Sequence, residues 1–253
     1  MDTYDTLPGI RRSDLWEIRK TPEIFWHNLT HPQEQTPALK FGSVVHTAIL
    51  EPSLFDERYA VAPNVDRRTT TGKMAWNDFC EGIAGREVIS QDDYMKAMLM
   101  QTAILRNKSA MEILTEDGFR ERVYRWTDPE TGEKLKCKCD IVIPEWEGRA
   151  LIVDYKTTGS CADGDFERSC RKYGYDFQAA FYSAGFFAVE YEEPRFAFIA
   201  QEKDEPYSAR VYFCDPYFVE QGRTKFRSLL QIYHQCKKRN EWPGYPDTEL
   251  LGE

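Results

Sequence analysis

No apolar run in this sequence approaches the roughly 18 residues that a helix needs to cross a bilayer. The opening residues, Met1-Asp2-Thr3-Tyr4-Asp5, have neither the basic nor the apolar stretch of a secretory signal. A cytoplasmic protein with no membrane partner is therefore expected. Evenly paired, closely spaced cysteines are also missing. The seven present are scattered through 253 residues, which suits a reducing compartment better than a disulfide framework. No repeat, low-complexity stretch or long linker interrupts the chain. Its length allows one sizeable core or at most two small ones, and one domain over 1–253 is expected. Basic charge is not in excess either: the net charge is −9. Taken alone, that argues against general binding to polyanions. It leaves room for a local basic surface, and for some of the acid to belong to a metal site.

What is present falls into two halves. Over about 1–115 the pattern is mainly helical, with helices expected at 13–19, from Thr21-Pro22 onward, at 39–50, at 74–83 and at 90–106. Ser90-Gln91-Asp92-Asp93 opens the last of these as a capping box would. An irregular stretch is expected over 62–73. Over about 116–240 the period changes. Strands are expected at 119–126, 134–143, 151–156, 196–201 and 209–214, and helices at 165–172, 177–189 and from Asp215-Pro216 to about 238. An acidic, irregular tail closes the chain over 241–253. These elements give an α/β fold, a mixed central sheet flanked by helices with a helical N-terminal part.

The chemistry gathers in two of the strands, Lys138-Cys139-Asp140-Ile141-Val142-Ile143 and Leu151-Ile152-Val153-Asp154-Tyr155-Lys156-Thr157-Thr158. Each aspartate adjoins an apolar, β-branched run that reads as buried, and a buried unpaired carboxylate is costly. Two carboxylates converging from neighbouring strands repel unless a cation lies between them. The usual occupant is a hard divalent ion such as Mg2+. Residues 154 and 156 share a strand face, so Lys156 aims at the same place. A metal with a lysine beside it is the chemistry of phosphodiester hydrolysis. By itself Asp-x-Lys is weak, since most such tripeptides are solvent-facing charges.

Other residues read in two ways. His46 stands one helical turn from Gly42 and is either a satisfied helix histidine or part of a site. Gly42, unfavourable inside a helix, suggests a close backbone approach. Gln178 and Tyr182 share one helix face. They either line a half-buried amphipathic helix or reach the metal site or a phosphate. Arg67, Arg68 and Lys73 make a basic loop, solvated or clamped on DNA phosphates. Lys172, Tyr173 and Tyr175 precede the Gln178 helix, where they are placed to hold a nucleic-acid backbone. Glu121, on the strand before Asp140, assists a second metal or forms a salt bridge at the core edge. Arg223, Lys225, Arg227, Lys237, Lys238 and Arg239 read as a solvated helix face. Cys137 and Cys139 alternate along a strand as packing residues do.

In order along the chain, the motifs are Gly42-x-x-x-His46, Asp140, Asp154-x-Lys156 and Gln178-x-x-x-Tyr182. Together they resemble the RecB-like branch of the PD-(D/E)xK nuclease superfamily, and within it the RecE-type exonucleases. Phe41-Gly42-Ser43-Val44-Val45-His46 and Tyr173-Gly174-Tyr175-Asp176-Phe177-Gln178 support the closer likeness, which spans about 40–185. The resemblance implies the restriction-endonuclease-like core. It also implies metal ligation by His46, Asp140, Asp154 and the Tyr155 carbonyl. Lys156 would aid the attacking water, and Gln178 and Tyr182 would orient the substrate or the lysine. The cofactor would be Mg2+, with Mn2+ able to substitute. Some members of the branch carry an iron–sulfur cluster. Cys137, Cys139, Cys161, Cys170, Cys214 and Cys236 lack the tight terminal spacing for one, and none is expected.

The implied activity is a 5′-to-3′ exonuclease on double-stranded DNA ends that leaves a 3′ single strand. The implied setting is recombination and repair in a bacterium or phage, beside a single-strand-annealing recombinase. The implied assembly is a homotetrameric ring. Two alternatives stand beside this: a structure-specific or restriction-like endonuclease of the same fold, and a catalytically inactive module that binds DNA ends.

Overall fold

A computed structural model describes residues 4–31 and 34–248. The last part of the acidic tail, 249–253, lies outside the described residues. In the N-terminal half stand α1 (Arg12–Glu17), α2 (Pro22–Thr30), α3 (Pro37–Leu50) and α4 (Phe55–Arg58). After them come β1 (Tyr59–Val61), α5 (Thr70–Gly82), β2 (Glu87–Ile89), α6 (Gln91–Ile104) and α7 (Lys108–Thr115). Side-chain caps set these starts. Thr21 and Thr36 each precede a proline, and each hydroxyl accepts the amide three residues on, from Ile24 and Leu39. Ser90 caps α6 through the Asp93 amide.

Besides the short α4, which the sequence pattern does not predict, three local features depart from it. The Thr69 hydroxyl accepts the Gly72 amide at 3.0 Å, so α5 begins at Thr70 rather than at 74, and Lys73 is helical rather than in a loop. A further helix, α7, starts where the Asn107 side chain accepts the Ala110 amide. β1 and β2 pair in parallel, but three residues each are too few to show an alternation.

The C-terminal half supplies β3 (Phe119–Thr127), β4 (Lys134–Trp146), β5 (Arg149–Thr158), β6 (Arg195–Glu202) and β7 (Ala209–Phe213). They form one five-stranded sheet in that order. Only β5 and β6 run parallel, joined through α8 (Asp165–Tyr173) and α9 (Tyr175–Glu190). The last helix, α10 (Pro216–Arg239), begins at the Asp215 cap. The fold is thus α/β with a mixed central sheet between helices, as the sequence predicts.

Each face of the sheet has its own core. Phe166, Phe177, Phe181 and Phe226 from α8, α9 and α10 meet Phe196 and Phe198 on one side. Val45, Met100 and Ile113 from α3, α6 and α7 meet Ile141, Val153 and Ile199 on the other. Burying each such side chain contributes about 1.5–3 kcal/mol. α9 and α10 touch at Gly222, where a Cβ would lie 1.9 Å from the Asp176 carbonyl oxygen. α10 is also latched to the β3–β4 turn, by Arg227 on Asp128 at 2.5 Å and by Lys237 on Glu133 at 2.5 Å. Its basic residues are therefore not simply a solvated face.

The segment before α1 lies across the sheet. Ile10 bridges Leu135 in parallel. The buried Lys136 ammonium donates to the carbonyls of Tyr4 (2.8 Å), Asp5 (3.2 Å) and Leu7 (2.6 Å). By contrast α5 projects, with Gly72 its one buried residue. Among the described residues no helix is long and apolar enough to cross a membrane.

Candidate active site

The alternation along β4 breaks at Asp140. Leu135, Cys137 and Cys139 pack on the α9 side of the sheet, whereas Ile141 and Ile143 pack on the α3 side. Glu121 lies between the pairs Arg120–Ile141 and Arg122–Cys139, which places it opposite Asp140. Its φ is +53°, a left-handed conformation that side chains other than glycine seldom adopt. One residue beyond the pair Ile141–Val153, Asp140 also comes opposite Asp154. There the backbone ladder between β4 and β5 ends. The Tyr155 amide donates to the Asp140 carboxylate at 2.8 Å instead of to a strand carbonyl. Three carboxylates from three adjacent strands thus stand in one row.

His46 enters from α3. Its Nε2 lies 3.1 Å from Asp140 and 3.6 Å from Glu121. One ligand atom from each of His46, Glu121 and Asp140 falls within 4.8 Å of the others. Asp154 sits beside this group, held by two neighbours. Gln178 Nε2 donates to one of its oxygens at 2.5 Å, and Lys156 Nζ lies 2.5 Å from the other. The Lys156 contact has the closeness of an ion pair without hydrogen-bond alignment, since that oxygen has no hydrogen-bond partner. Lys156 is also 5.1 Å from the centre of the Tyr175 ring.

The electrostatics separate the two aspartates. Burial pushes the Asp140 carboxyl up, but His46, Lys156 and the Tyr155 amide outweigh it and hold it below the usual range. Asp154 is pushed up to about 6 by burial, with Asp140 adding to the effect and Lys156 opposing it. Burial would lower the His46 imidazole, yet Asp140 and Glu121 raise it. Burial also drives the Tyr182 phenol well above its usual range.

These groups, the buried Asp154 excepted, open on a cleft of about 850 Å³, lined by His46, Glu121, Asp140, Lys156, Gln178 and Tyr182 among others. Tyr173 and Tyr175 line it as well. Lys172 does not; it faces a neighbouring hollow of about 290 Å³ with Ser160 and Arg168. Arg67, Arg68 and Lys73 line neither hollow. Arg67 stacks 4.1 Å over Trp76 and Arg68 pairs with Asp66 at 2.9 Å. Gly42 lines the cleft, and a Cβ there would meet nothing within 4 Å. The close backbone approach expected of it is absent, because the position borders open space. Glu121 pairs with Lys138, and the same carboxylate also joins the His46 group. Arg12, Tyr4 and Lys203 line the cleft too. Nothing in their sequence spacing singles them out.

The donor set suits a hard divalent cation. It offers two carboxylates and one imidazole, with further carboxylate oxygen from Asp154. Glu121 Oε1 and Asp154 Oδ2 are buried without a hydrogen-bond partner, which a cation would remedy.

A match to a family model agrees with the geometry. The model of a family described as a PDDEXK-like domain of unknown function (DUF3799) matches residues 12–249. No curated protein matches the sequence. Among solved structures, an exonuclease candidate from Eubacterium rectale is similar at 16% identity and a TM-score of 0.60, over 95% of this chain and 91% of that one. A phage-related exonuclease from Haemophilus somnus 129PT aligns at 12% identity and a TM-score of 0.37, over 92% of this chain and 97% of that one.

Proposed function

Since the chain belongs to this PDDEXK-like family, and so to the PD-(D/E)xK nucleases, we propose that it is a Mg2+-dependent deoxyribonuclease of the RecE type. It acts as one domain on double-stranded DNA ends, in the 5′-to-3′ direction, leaving a 3′ single strand. The observation that carries this reading is the carboxylate row Glu121, Asp140 and Asp154, with His46 against Asp140 and Glu121 and Lys156 against Asp154.

His46, Glu121 and Asp140 would hold the cation, with Asp154 and the Tyr155 carbonyl completing the set. When bound, the ion supplies Lewis-acid charge for the phosphodiester oxygens and the attacking water. The protein's own groups do the rest. Lys156 Nζ, held between Asp154 and the Tyr175 ring, orients the water and faces the negative charge that grows on the phosphoryl oxygens. Gln178 fixes Asp154 through one oxygen and leaves the other toward Lys156. Tyr182 stays a neutral phenol and offers the substrate a hydroxyl.

The fitting setting is a homotetrameric ring with a single-strand-annealing recombinase as partner. Acid outside and base along the channel would reconcile the net charge of −9 with a DNA substrate. A surface potential of the assembly without a positive channel would overturn that part.

The test is digestion of linear duplexes protected at one 5′ or one 3′ end, with and without Mg2+, beside covalently closed circles. Shortening from unprotected 5′ ends, only with Mg2+, is expected, with the circles intact. Asp154→Ala and Lys156→Ala should each abolish it while the circular dichroism stays native. Cut circles would favour an endonuclease. Duplex bound but never shortened would favour an end-binding module.

A further inference from the structure

Six basic side chains line the cleft: Arg11, Arg12, Arg58, Lys138, Lys156 and Lys203. Four already face carboxylates. Arg11 pairs with Asp5 and Asp14, Arg58 with Glu51, Lys138 with Glu121, and Lys156 with Asp154. Among the described residues, Arg12 and Lys203 have no such partner. Of these two, Arg12 is the group fixed in place.

The Arg12 guanidinium is held by backbone and rings. Its Nη2 donates to the carbonyls of Tyr173 and Gly174, where α8 ends and α9 begins. Its centre lies 5.6 Å from the Trp16 ring and 5.8 Å from the Phe177 ring. Trp16 in turn fills the space at Gly174, where a Cβ would come within 2.4 Å of the indole. A purely structural arginine here would cap the last carbonyls of α8, and one nitrogen suffices for that. The other two are left over. Nε is buried and has no hydrogen-bond partner, whereas Nη1 makes no hydrogen bond among the described residues and is not buried. A guanidinium is always charged, and burying it with donors unmatched is unfavourable unless an anion meets it. The side chain lies on the α9 side of the cleft, beside Phe177 and in the field of Asp154, the carboxylate that Lys156 also contacts.

We propose that Arg12 is a substrate-binding residue, its pinned guanidinium taking a non-bridging oxygen of the DNA phosphate held beside Lys156. Naming the anion as a DNA phosphate rests on the nuclease reading; the anion site itself rests on the unmatched donors alone. Because Lys156 is already engaged by Asp154, Arg12 supplies the unneutralised positive charge at that side of the cleft. A charge-assisted bond of this kind changes affinity by about tenfold or more. The two carbonyl bonds tie its position to the α8–α9 junction, and so to the helix that presents Gln178 and Tyr182.

Nitrogen-detected magnetic resonance of the arginine Nε–H groups tests the site without turnover. The Arg12 signal is assigned by its loss in Arg12→Lys. Inorganic phosphate, added with Mg2+ to the intact protein, should shift that signal saturably. In EDTA, a short duplex should bind Arg12→Gln about tenfold or more weakly than wild type, and Arg12→Lys with a smaller loss. The thermal midpoint should change little. An unmoved Nε–H signal at saturating phosphate, or wild-type duplex affinity in Arg12→Gln, overturns the proposal. If Arg12→Gln does not fold, the wild-type titration and Arg12→Lys decide. Cleavage failing while phosphate still shifts the signal would sink the nuclease reading and leave the anion site standing.

Discussion

Glu121 shows what a single backbone angle does for this site. With φ at +53° it stands opposite Asp140, which meets both the Tyr155 amide and His46. Holding a glutamate there costs of order 1–3 kcal/mol, and the surrounding sheet has to hold it. If Glu121 serves the cation, Glu121→Gln should raise the Mg2+ concentration for half-maximal cleavage about tenfold or more. A Mg2+ titration of cleavage, with thermal shift as a second readout, checks this; an unchanged requirement would reduce Glu121 to the partner of Lys138. Asp140, Asp154 and Lys156 are legible in the sequence because acid inside an apolar strand is too costly to bury without a cationic partner. Glu121 is legible only as two open readings, metal aid or salt bridge, because its place beside His46 and Asp140 goes with a dihedral that no residue pattern announces. Arg12 leaves even less trace, as its role arises from carbonyls more than 160 residues away.

At the scale of elements, α9 is the part that must not move, and α10 holds it. Gly222 allows the two helices to touch, so Gly222→Ala drives a methyl into the Asp176 carbonyl. It should cost about 1–3 kcal/mol and lower kcat through Gln178, as seen by calorimetry and steady-state kinetics. Gly42→Ala meets open space and should instead add up to about 1 kcal/mol of helix stability. The latch on the β3–β4 turn gives a pH signature. Burial pushes Asp128 up, but Arg227 and Thr131 outweigh it and hold its carboxyl below the usual range. A depressed aspartate adds stability above the unfolded value of about 3.9 and loses it as pH falls through its lower folded value. Arg227→Ala should therefore cost about 2 kcal/mol at pH 7, with the gap from wild type shrinking below about pH 4. Most helices are readable from their caps, as at Thr21, Ser90 and Asp215. α7 is not, because its only announcement is Asn107, one more polar residue in a polar stretch.

For the whole molecule, two cores share one sheet, β5 and β6 contributing side chains to both. Neither face can lose its packing without exposing the back of the other. Heat should therefore unfold the chain in one transition, with calorimetric and van't Hoff enthalpies equal. Two separated transitions would show that the helical N-terminal part is a domain of its own. The segment before α1 belongs to this unit through the buried Lys136 ammonium, whose three carbonyl partners are all in residues 4–7. Tyr4, one of those partners, is also a wall of the cleft. Occupancy and order are then thermodynamically linked: whatever presses on Tyr4 from within the cleft shifts the free energy of lifting the segment off. By reciprocity, whatever loosens the segment weakens that grip by the same amount.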